Sequence, residues 1–161
     1  MSQRFTHPSA EIPPFAPFAI ELPDGWHADE APDCLVVFFD PAAVGFRVNL
    51  IVSVDRVDAS VDLEQAAQDT LEDAELFSDF RVEREKVDEI SGQPASMRIQ
   101  SFFADGVPDR LLQLQVLLFS PPDERTKTRD LFHIDGSCLG RDTETYAGVF
   151  VDIARSFTFL D

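Results

Sequence analysis

The feature that most constrains this chain is the order in which its hydrophobic periodicity changes. Side chains alternate with period two in Phe18–Leu22 and Phe46–Val54, and a short apolar run, Leu35–Phe39, lies between these segments. Both patterns are typical of β-strands. From Leu63 to Phe77 apolar residues recur at helical spacing instead, and Asp62 followed by Gln65 predicts a capping box at the start of that helix. The first half is therefore expected to form three strands and then one helix.

The second half returns to strand patterns before it ends in a second helix. The predicted strands are Arg81–Ile90, Ala95–Ala104, Arg110–Ser120 and a short one near Leu131–Asp135, and the helix begins at Asp142 or Thr143. The first of these strands is charged on both sides, which is typical of a protected edge strand. Arg110–Ser120 contains the most apolar stretch and is predicted to lie at the centre of the sheet. The predicted order is β-β-β-α-β-β-β-β-α.

This order predicts the fold class. Strands joined by tight turns favour antiparallel pairing, so we expect an α+β protein with an antiparallel sheet of about six to seven strands. Two amphipathic helices packed on the sheet, one on each face, would cover it. Residues 1–17 contain four prolines and are predicted to be a flexible arm, and residues 18–161 fit a single domain.

The net charge restricts the partners. Thirty acidic and thirteen basic side chains give a formal charge of −17. A nucleic-acid-binding protein needs a basic surface, so that class is excluded, and docking on anionic lipid is disfavoured. Residues 57–80 contain eight acidic residues and no basic one, which predicts a negative face on the first helix. A partner attracted by that face would have a basic surface and a salt-sensitive association rate.

Segments that would direct export or membrane insertion are not recognisable. Residues 1–17 lack the basic start and continuous apolar stretch of a signal peptide, and no apolar run is long enough to span a bilayer. We therefore expect a cytoplasmic protein. Cys34 and Cys138 do not form a metal-binding spacing and are predicted to be small buried residues, with a single disulfide between them as the alternative.

Several short motifs along the domain resemble those of a known family. They are Leu22–Trp26 after the first strand, Asn49–Ser53, Gly92–Ala95 at a hairpin, the Gln113–Leu118 strand, and the aromatic positions of the last helix. In this order they resemble the LpqN-like (lipo)proteins of actinobacteria, within the broader group of PsbP-like α/β/α sandwiches. The resemblance implies an antiparallel sheet between helices and a binding role without catalytic residues. Related members serve as a Ran-binding protein, as photosystem subunits and as chaperones in type VI secretion.

Candidate catalytic and metal-binding motifs are few. Residues 136–140, Gly-Ser-Cys-Leu-Gly, are similar to a nucleophile elbow and lie between a predicted strand and a helix, which would make Cys138 the nucleophile of a hydrolase. That chemistry needs a later histidine, whereas the last histidine is His133. The three histidines show no metal-ligand spacing, and no glycine-rich phosphate loop is present. We therefore predict neither an enzyme nor a bound cofactor or metal.

The sequence offers clearer candidates for binding residues than for catalytic ones. Arg98 and Gln100 on one strand, with Gln113 and Gln115 on the next, are predicted to align as a polar stripe on one sheet face, which Phe102 would share. Trp26 is a candidate surface anchor, although it could instead close one end of the core. We therefore expect a non-enzymatic adaptor or chaperone-like domain that binds another protein, with a homodimer as one form of that binding. A carrier of a small apolar ligand held between sheet and helix is the alternative.

Overall fold

The fold is an antiparallel sheet between two helices, as predicted. The computed structural model describes residues 1–161. Its elements in chain order are β1 (Phe18–Ala19), β2 (His27–Asp29), β3 (Val36–Phe39), β4 (Asn49–Asp58), α1 (Leu63–Ala74), β5 (Ser78–Ile90), β6 (Gln93–Phe103), β7 (Leu111–Phe119), β8 (Thr128–Leu139), a short 3-10 turn (Gly140–Asp142), α2 (Thr143–Ser156) and β9 (Thr158–Phe159). Seven strands form the main sheet in the order β2-β3-β4-β8-β7-β6-β5, while β1 pairs with β9 separately.

The two faces of the main sheet are covered by different helices because apolar residues occur on both sides of β7. Leu114, Val116 and Leu118 point toward α2 and join the main core with Phe150 and Ile153. The alternate residues Leu117 and Phe119 pack instead against α1, where Ala66 and Leu131 complete a smaller cluster. We call the two sides of the sheet the α1 face and the α2 face.

The helix starts follow the predictions. Asp62 caps α1 by accepting a hydrogen bond from the backbone N–H of Gln65 at 2.7 Å, which satisfies one of the unpaired donors of the first turn. The second helix begins at Thr143, as expected. The first helix ends at Ala74, however, so Leu76 and Phe77 belong to the connection to β5 and do not extend the buried stripe.

Several strand predictions were wrong in extent or position. The strand predicted near Leu131–Asp135 is β8, which has twelve residues and lies at the centre of the sheet, with β7 beside it. The predicted strand Phe46–Val54 is shifted to Asn49–Asp58, and Phe46 instead packs against the α1 face beside Phe102. The predicted order omitted β2 and β9. The first of these is fully exposed and the second has only two residues, so neither produces a hydrophobic pattern.

The end of the proline-rich arm is attached to the domain. The Arg56 side chain donates a hydrogen bond to the carbonyl of Pro13 at 2.8 Å, and Asp130 accepts one from the backbone N–H of Ala16 at 2.9 Å. Arg56 and Asp130 also form an ion pair at 3.0 Å. These contacts fix the point at which the arm enters the fold. Neither helix combines the length and apolar character needed to cross a membrane.

Candidate functional site

The predicted polar stripe forms on the α1 face. In the register of β6 and β7, Arg98 lies opposite Gln115, and Gln100 lies opposite Gln113. The Gln100 amide donates to the side-chain oxygen of Gln113 at 2.7 Å, and Gln113 in turn donates to the hydroxyl of Ser137 on β8 at 3.3 Å. The stripe therefore continues as a chain of hydrogen bonds across three strands.

Arg98 joins this stripe to the helix above it. Its guanidinium donates to the side-chain oxygens of Gln100, at 2.7 Å, and of Gln115. It also donates to the Ala67 carbonyl and to the Thr70 hydroxyl on α1, both at 3.2 Å. Arg98 is only 4% exposed, so this charged group is enclosed between sheet and helix. It anchors α1 over β6 and β7.

Two buried ionisable groups lie in this layer. Burial lowers the pKa of Arg98, while the nearby carboxylates of Glu85, Asp135 and Glu75 act in the opposite direction. Burial raises the pKa of Asp135 to about 7, and the neighbouring Gln115 side chain and the charge of Arg98 lower it by less. The Oδ1 atom of Asp135 is buried and has no hydrogen-bond partner. The layer beneath α1 is therefore polar and incompletely satisfied at Asp135.

Three of the six predicted binding residues consequently lie inside the fold. Arg98, Gln100 and Phe102 are buried, and Phe102 stacks under Phe77 at a centroid distance of 4.3 Å. Gln113 and Gln115 remain partly accessible beside α1. Trp26 is not near the stripe, because it packs on the main core at the α2 face. A binding role for these residues stays a prediction, whereas their hydrogen bonds and packing give them a clear part in positioning α1 and the connection that follows it.

The surface that sequence reasoning missed is a groove between α1 and the edge strand β5. Because α1 lies over β6 and β7, the adjacent side of β5 is uncovered. Val82 and Val87 of this strand are 42% and 73% exposed. One end of the groove is a cavity of about 460 Å³, lined by Leu63, Glu64, Ala67, Glu85, Lys86, Val87 and Ser96. We call this surface, from Leu63 to the connection after α1, the α1 groove.

The opposite end of the α1 groove is also apolar. Leu76 is 88% exposed and Phe77 is 46% exposed, both in the connection that follows the helix. The helical spacing of Phe77 in the sequence predicted a core position for that residue. Because α1 ends at Ala74, Phe77 instead lies with Leu76 in the exposed connection. Contiguous exposed side chains of this size mark interaction sites more often than isolated ones do.

Carboxylates flank these apolar residues without basic partners. Glu64, Glu72, Asp73, Glu75 and Glu85 form no ion pair, since the eight ion pairs of the protein involve other carboxylates. Glu64, from the negative face predicted for the first helix, therefore lines the α1 groove together with Glu85. Unpaired charges of one sign beside an apolar strip attract a partner of the opposite sign.

The structure gives Cys138 no nucleophilic environment. The first four residues of the Gly-Ser-Cys-Leu-Gly segment belong to β8, and only Gly140 begins the 3-10 turn that leads to α2. A side chain at Gly136 would approach Phe150 to 2.7 Å. Cys138 is fully buried, and burial together with the negative charge of Asp142 raises the pKa of its thiol to about 12. His133 lies on the opposite face of the same strand, where its Nε2 is 3.1 Å from the Oδ2 of Asp55. Both cysteines are free, so the alternative disulfide is absent.

The interior has little room for the alternative function as a ligand carrier. Phe132, Phe150 and Phe157 fill the layer between the sheet and α2, and each is at most 1% exposed. No three His, Cys, Asp or Glu side chains converge closely enough to hold a metal ion. The accessible cavities lie on the flanks of the helices, beside the arm and at the loop between β2 and β3.

Comparison with known proteins identifies the fold. No family model matches the sequence, and no curated protein is similar to it. The structure of LpqN from Mycobacterium tuberculosis, a protein involved in cell envelope biogenesis, superposes with a TM-score of 0.75 at 13% identity, covering 96% of this chain and 88% of LpqN. The chain has an LpqN-like, PsbP-type fold. The predicted resemblance is thereby confirmed at the level of structure.

Two further structures show how widely this fold occurs. The cyanobacterial PsbP of Synechocystis matches with a TM-score of 0.57 at 18% identity, over 91% of this chain and 95% of that protein. The Ran-binding protein Mog1p of Saccharomyces cerevisiae matches with a TM-score of 0.59 at 15% identity, over 89% and 90%. Identities this low establish a shared fold and leave function to be argued from the site.

Proposed function

We propose that this protein is a non-enzymatic protein-binding domain, of the adaptor or chaperone-like type, and that the α1 groove contacts its partner. The observation that carries the proposal is the strip of exposed apolar side chains beside unpaired carboxylates along α1 and β5. Leu76 and Val87, at 88% and 73% exposed, mark its two ends. The partner would present a segment that is both apolar and basic.

The physical chemistry of the groove suits such a segment. Burying one exposed Leu or Val side chain contributes about 1.5–3 kcal/mol, so the strip supplies the affinity. The carboxylates of α1 increase the association rate and select for positive charge. Since β5 is an edge strand, its outward N–H and C=O groups can also pair with an added strand.

The comparisons support a binding role by analogy of fold. Mog1p is a Ran-binding protein, and LpqN is involved in cell envelope biogenesis. As part of the same proposal, the chain resides in the cytoplasm and acts in a process linked to secretion or to the cell envelope. A homodimer formed through β5 would be a special case in which the partner is a second copy.

Site-specific cross-linking in the native host tests the proposal. A photoactivatable residue placed at Val87, or separately at Leu76, should capture the same protein from both positions. The matched control is a photoactivatable residue at Glu124, which is exposed in the loop before β8. Capture of the same proteins from the control position, or of none from either groove position, would contradict the proposal, and capture of the chain itself would reveal a dimer.

Charge reversal tests the attraction separately. With the captured partner, Glu64→Lys combined with Glu85→Lys should lower the association rate about tenfold at low salt and flatten its dependence on ionic strength. Glu124→Lys changes one charge outside the groove and should have little effect. An association rate of the unaltered protein that does not vary with salt would rule out steering by the acidic face.

A further inference from the structure

The exposed apolar side chains of this protein are concentrated in two regions. Of the twelve large ones, four lie in the α1 groove and four lie in the proline-rich arm, residues 1–17. The groove contributes Leu76, Phe77, Val82 and Val87, and the arm contributes Met1, Phe5, Ile12 and Phe15. Exposed apolar surface that is clustered in this way marks an interaction site. Contact between the arm and the groove would remove both exposed surfaces from water.

The arm and the groove are also complementary in charge. The first ten residues contain a basic side chain, Arg4, and no acidic one, although the protein has a formal charge of −17. The groove is lined by Glu64 and Glu85, neither of which forms an ion pair. Lys86 also lines it, but its ammonium group is already paired with a neighbouring carboxylate. An apolar segment with one positive charge therefore matches this groove.

The arm is attached on the face opposite the groove. Asp130 accepts a hydrogen bond from the backbone N–H of Ala16, and it alternates along β8 with Phe132, which belongs to the main core of the α2 face. The route to the groove of the same copy passes around the end of the sheet and across three strand spacings, from β8 to β5. These spacings amount to about 14 Å, and the change of layer adds about 10 Å. The seven residues between Phe5 and Pro13 span at most about 25 Å, so this route is taut.

We infer that the arm of a second copy of this chain binds the α1 groove. The inference rests on the proposed function, because it names the occupant of the same groove. Phe5 enters the cavity beside Val87, where an aromatic side chain buries about 150–250 Å², and the guanidinium of Arg4 pairs with Glu64. Reciprocal exchange of arms closes a dimer, since each copy offers one arm and one groove. A different partner then has to displace the arm before it can occupy the groove.

Sedimentation velocity of the full chain over a range of concentrations measures the dimer dissociation constant. Phe5→Ser and Val87→Ser should each raise this constant at least about tenfold. Both side chains are exposed within one copy, so neither change threatens the fold. The double variant should have less than the product of the two single effects, because both changes remove the same contact. The matched control is Val44→Ser, which removes a 90% exposed apolar side chain from the loop before β4 and should leave the constant unchanged.

A charge exchange tests the ion pair between the arm and α1. Arg4→Glu and Glu64→Lys should each raise the dimer dissociation constant about threefold at low salt, as expected for an exposed pair. The variant that carries both changes should recover most of the lost affinity. Arg125→Glu reverses a charge in the exposed loop before β8 and should have no effect.

Cross-linking from the arm distinguishes exchange between copies from folding back within one copy. A photoactivatable residue replaces Phe5 in a mixture of isotopically labelled and unlabelled chains. The expected product joins a labelled chain to an unlabelled one at residues of α1 or β5. A product that joins the arm to its own copy, or to residues outside the groove, would overturn the inference. So would a chain that stays monomeric at every concentration, or a dimer that Phe5→Ser leaves intact.

These outcomes are separable from those of the proposed function. Capture of a different protein at Val87 by a chain that stays monomeric would overturn the exchange of arms and leave the proposed function standing. Absence of any captured protein at Val87 and Leu76, the chain itself included, would contradict both.

Discussion

Replacing Arg98 with methionine removes the guanidinium that joins α1 to the sheet and keeps an unbranched side chain of similar length. In the native protein this group satisfies the side-chain oxygens of Gln100 and Gln115 and bonds to α1 at Ala67 and Thr70. The variant leaves both amide oxygens without that donor. Gln100 is 1% exposed, so water cannot replace the donor at its oxygen.

The expected cost follows from these contacts. An unsatisfied buried acceptor costs about 1–3 kcal/mol, which applies to the oxygen of Gln100, whereas the partly accessible oxygen of Gln115 can bond to water and its lost hydrogen bond costs about 0.5–1.5 kcal/mol. Part of this cost is offset, because burying a guanidinium carries a desolvation penalty that methionine does not. We expect Arg98→Met to lower the free energy of unfolding by about 2–4 kcal/mol, with early loss of hydrogen-exchange protection in α1.

Urea unfolding followed by far-UV circular dichroism measures the change. The matched control is the triple variant Arg98→Met, Gln100→Leu and Gln115→Leu, in which the acceptors are removed together with the donor. It should recover most of the lost stability, since replacing all partners with apolar groups is close to neutral. A single variant that loses less than about 1 kcal/mol, or a triple variant that is less stable than the single one, would refute the role given to Arg98.

Two further predictions concern packing and pH. Gly136→Ala should lower the free energy of unfolding by about 1–3 kcal/mol, because its Cβ would lie 2.7 Å from the Phe150 ring. Gly148→Ala has open space around the new Cβ and should instead raise the free energy of unfolding by about 0.5–1 kcal/mol. Equal stability of the two variants in thermal unfolding would contradict the packing described. Asp135 has a pKa raised to about 7 in the folded protein, above its unfolded value of about 3.9. The folded state therefore binds more protons, so the contribution of Asp135 to stability is fully present below about pH 4 and is lost as the pH rises toward 7. Asp135→Asn should flatten the decline of the free energy of unfolding between about pH 5 and pH 8, measured by urea unfolding. An unchanged slope would show that Asp135 is not the source of the decline.

The fold could be predicted because its strands and helices are strongly periodic. Alternation in β7 assigns its side chains to the two faces of the sheet, and the helical spacing in α1 assigns its apolar side chains to one side of the helix. The layers of the fold therefore follow from the pattern. The errors in the predicted elements occur where tertiary contacts override this local pattern. Gly136 looked like part of a turn, yet it lies within β8, where the lack of a side chain leaves room for the Phe150 ring. Nothing in the local sequence encodes that contact.

The candidate site was less predictable for a related reason. The alignment of Arg98 with Gln115 followed from strand register, and it is present. Which strands a helix covers depends on its lateral position over the sheet, and no periodicity specifies this. Polar residues at Arg98 and Gln100 therefore suggested an open face, although α1 covers them. Phe77 was predicted to be a core residue for the same reason, although it is exposed.

The strand order also constrains how the chain acquires its structure. From β5 to β8 each strand pairs with the next along the chain, so this meander can form from local contacts. By contrast, β4 pairs with β8, and even the nearest pair in this ladder, Asp58 and Thr128, is separated by about 70 residues. Closing such a loop is slow because its entropy is lost before the contacts form. During synthesis β4 must wait, with Leu50 and Val52 exposed, until β8 has left the ribosome. The charged residues around them would then help to keep the incomplete sheet from aggregating.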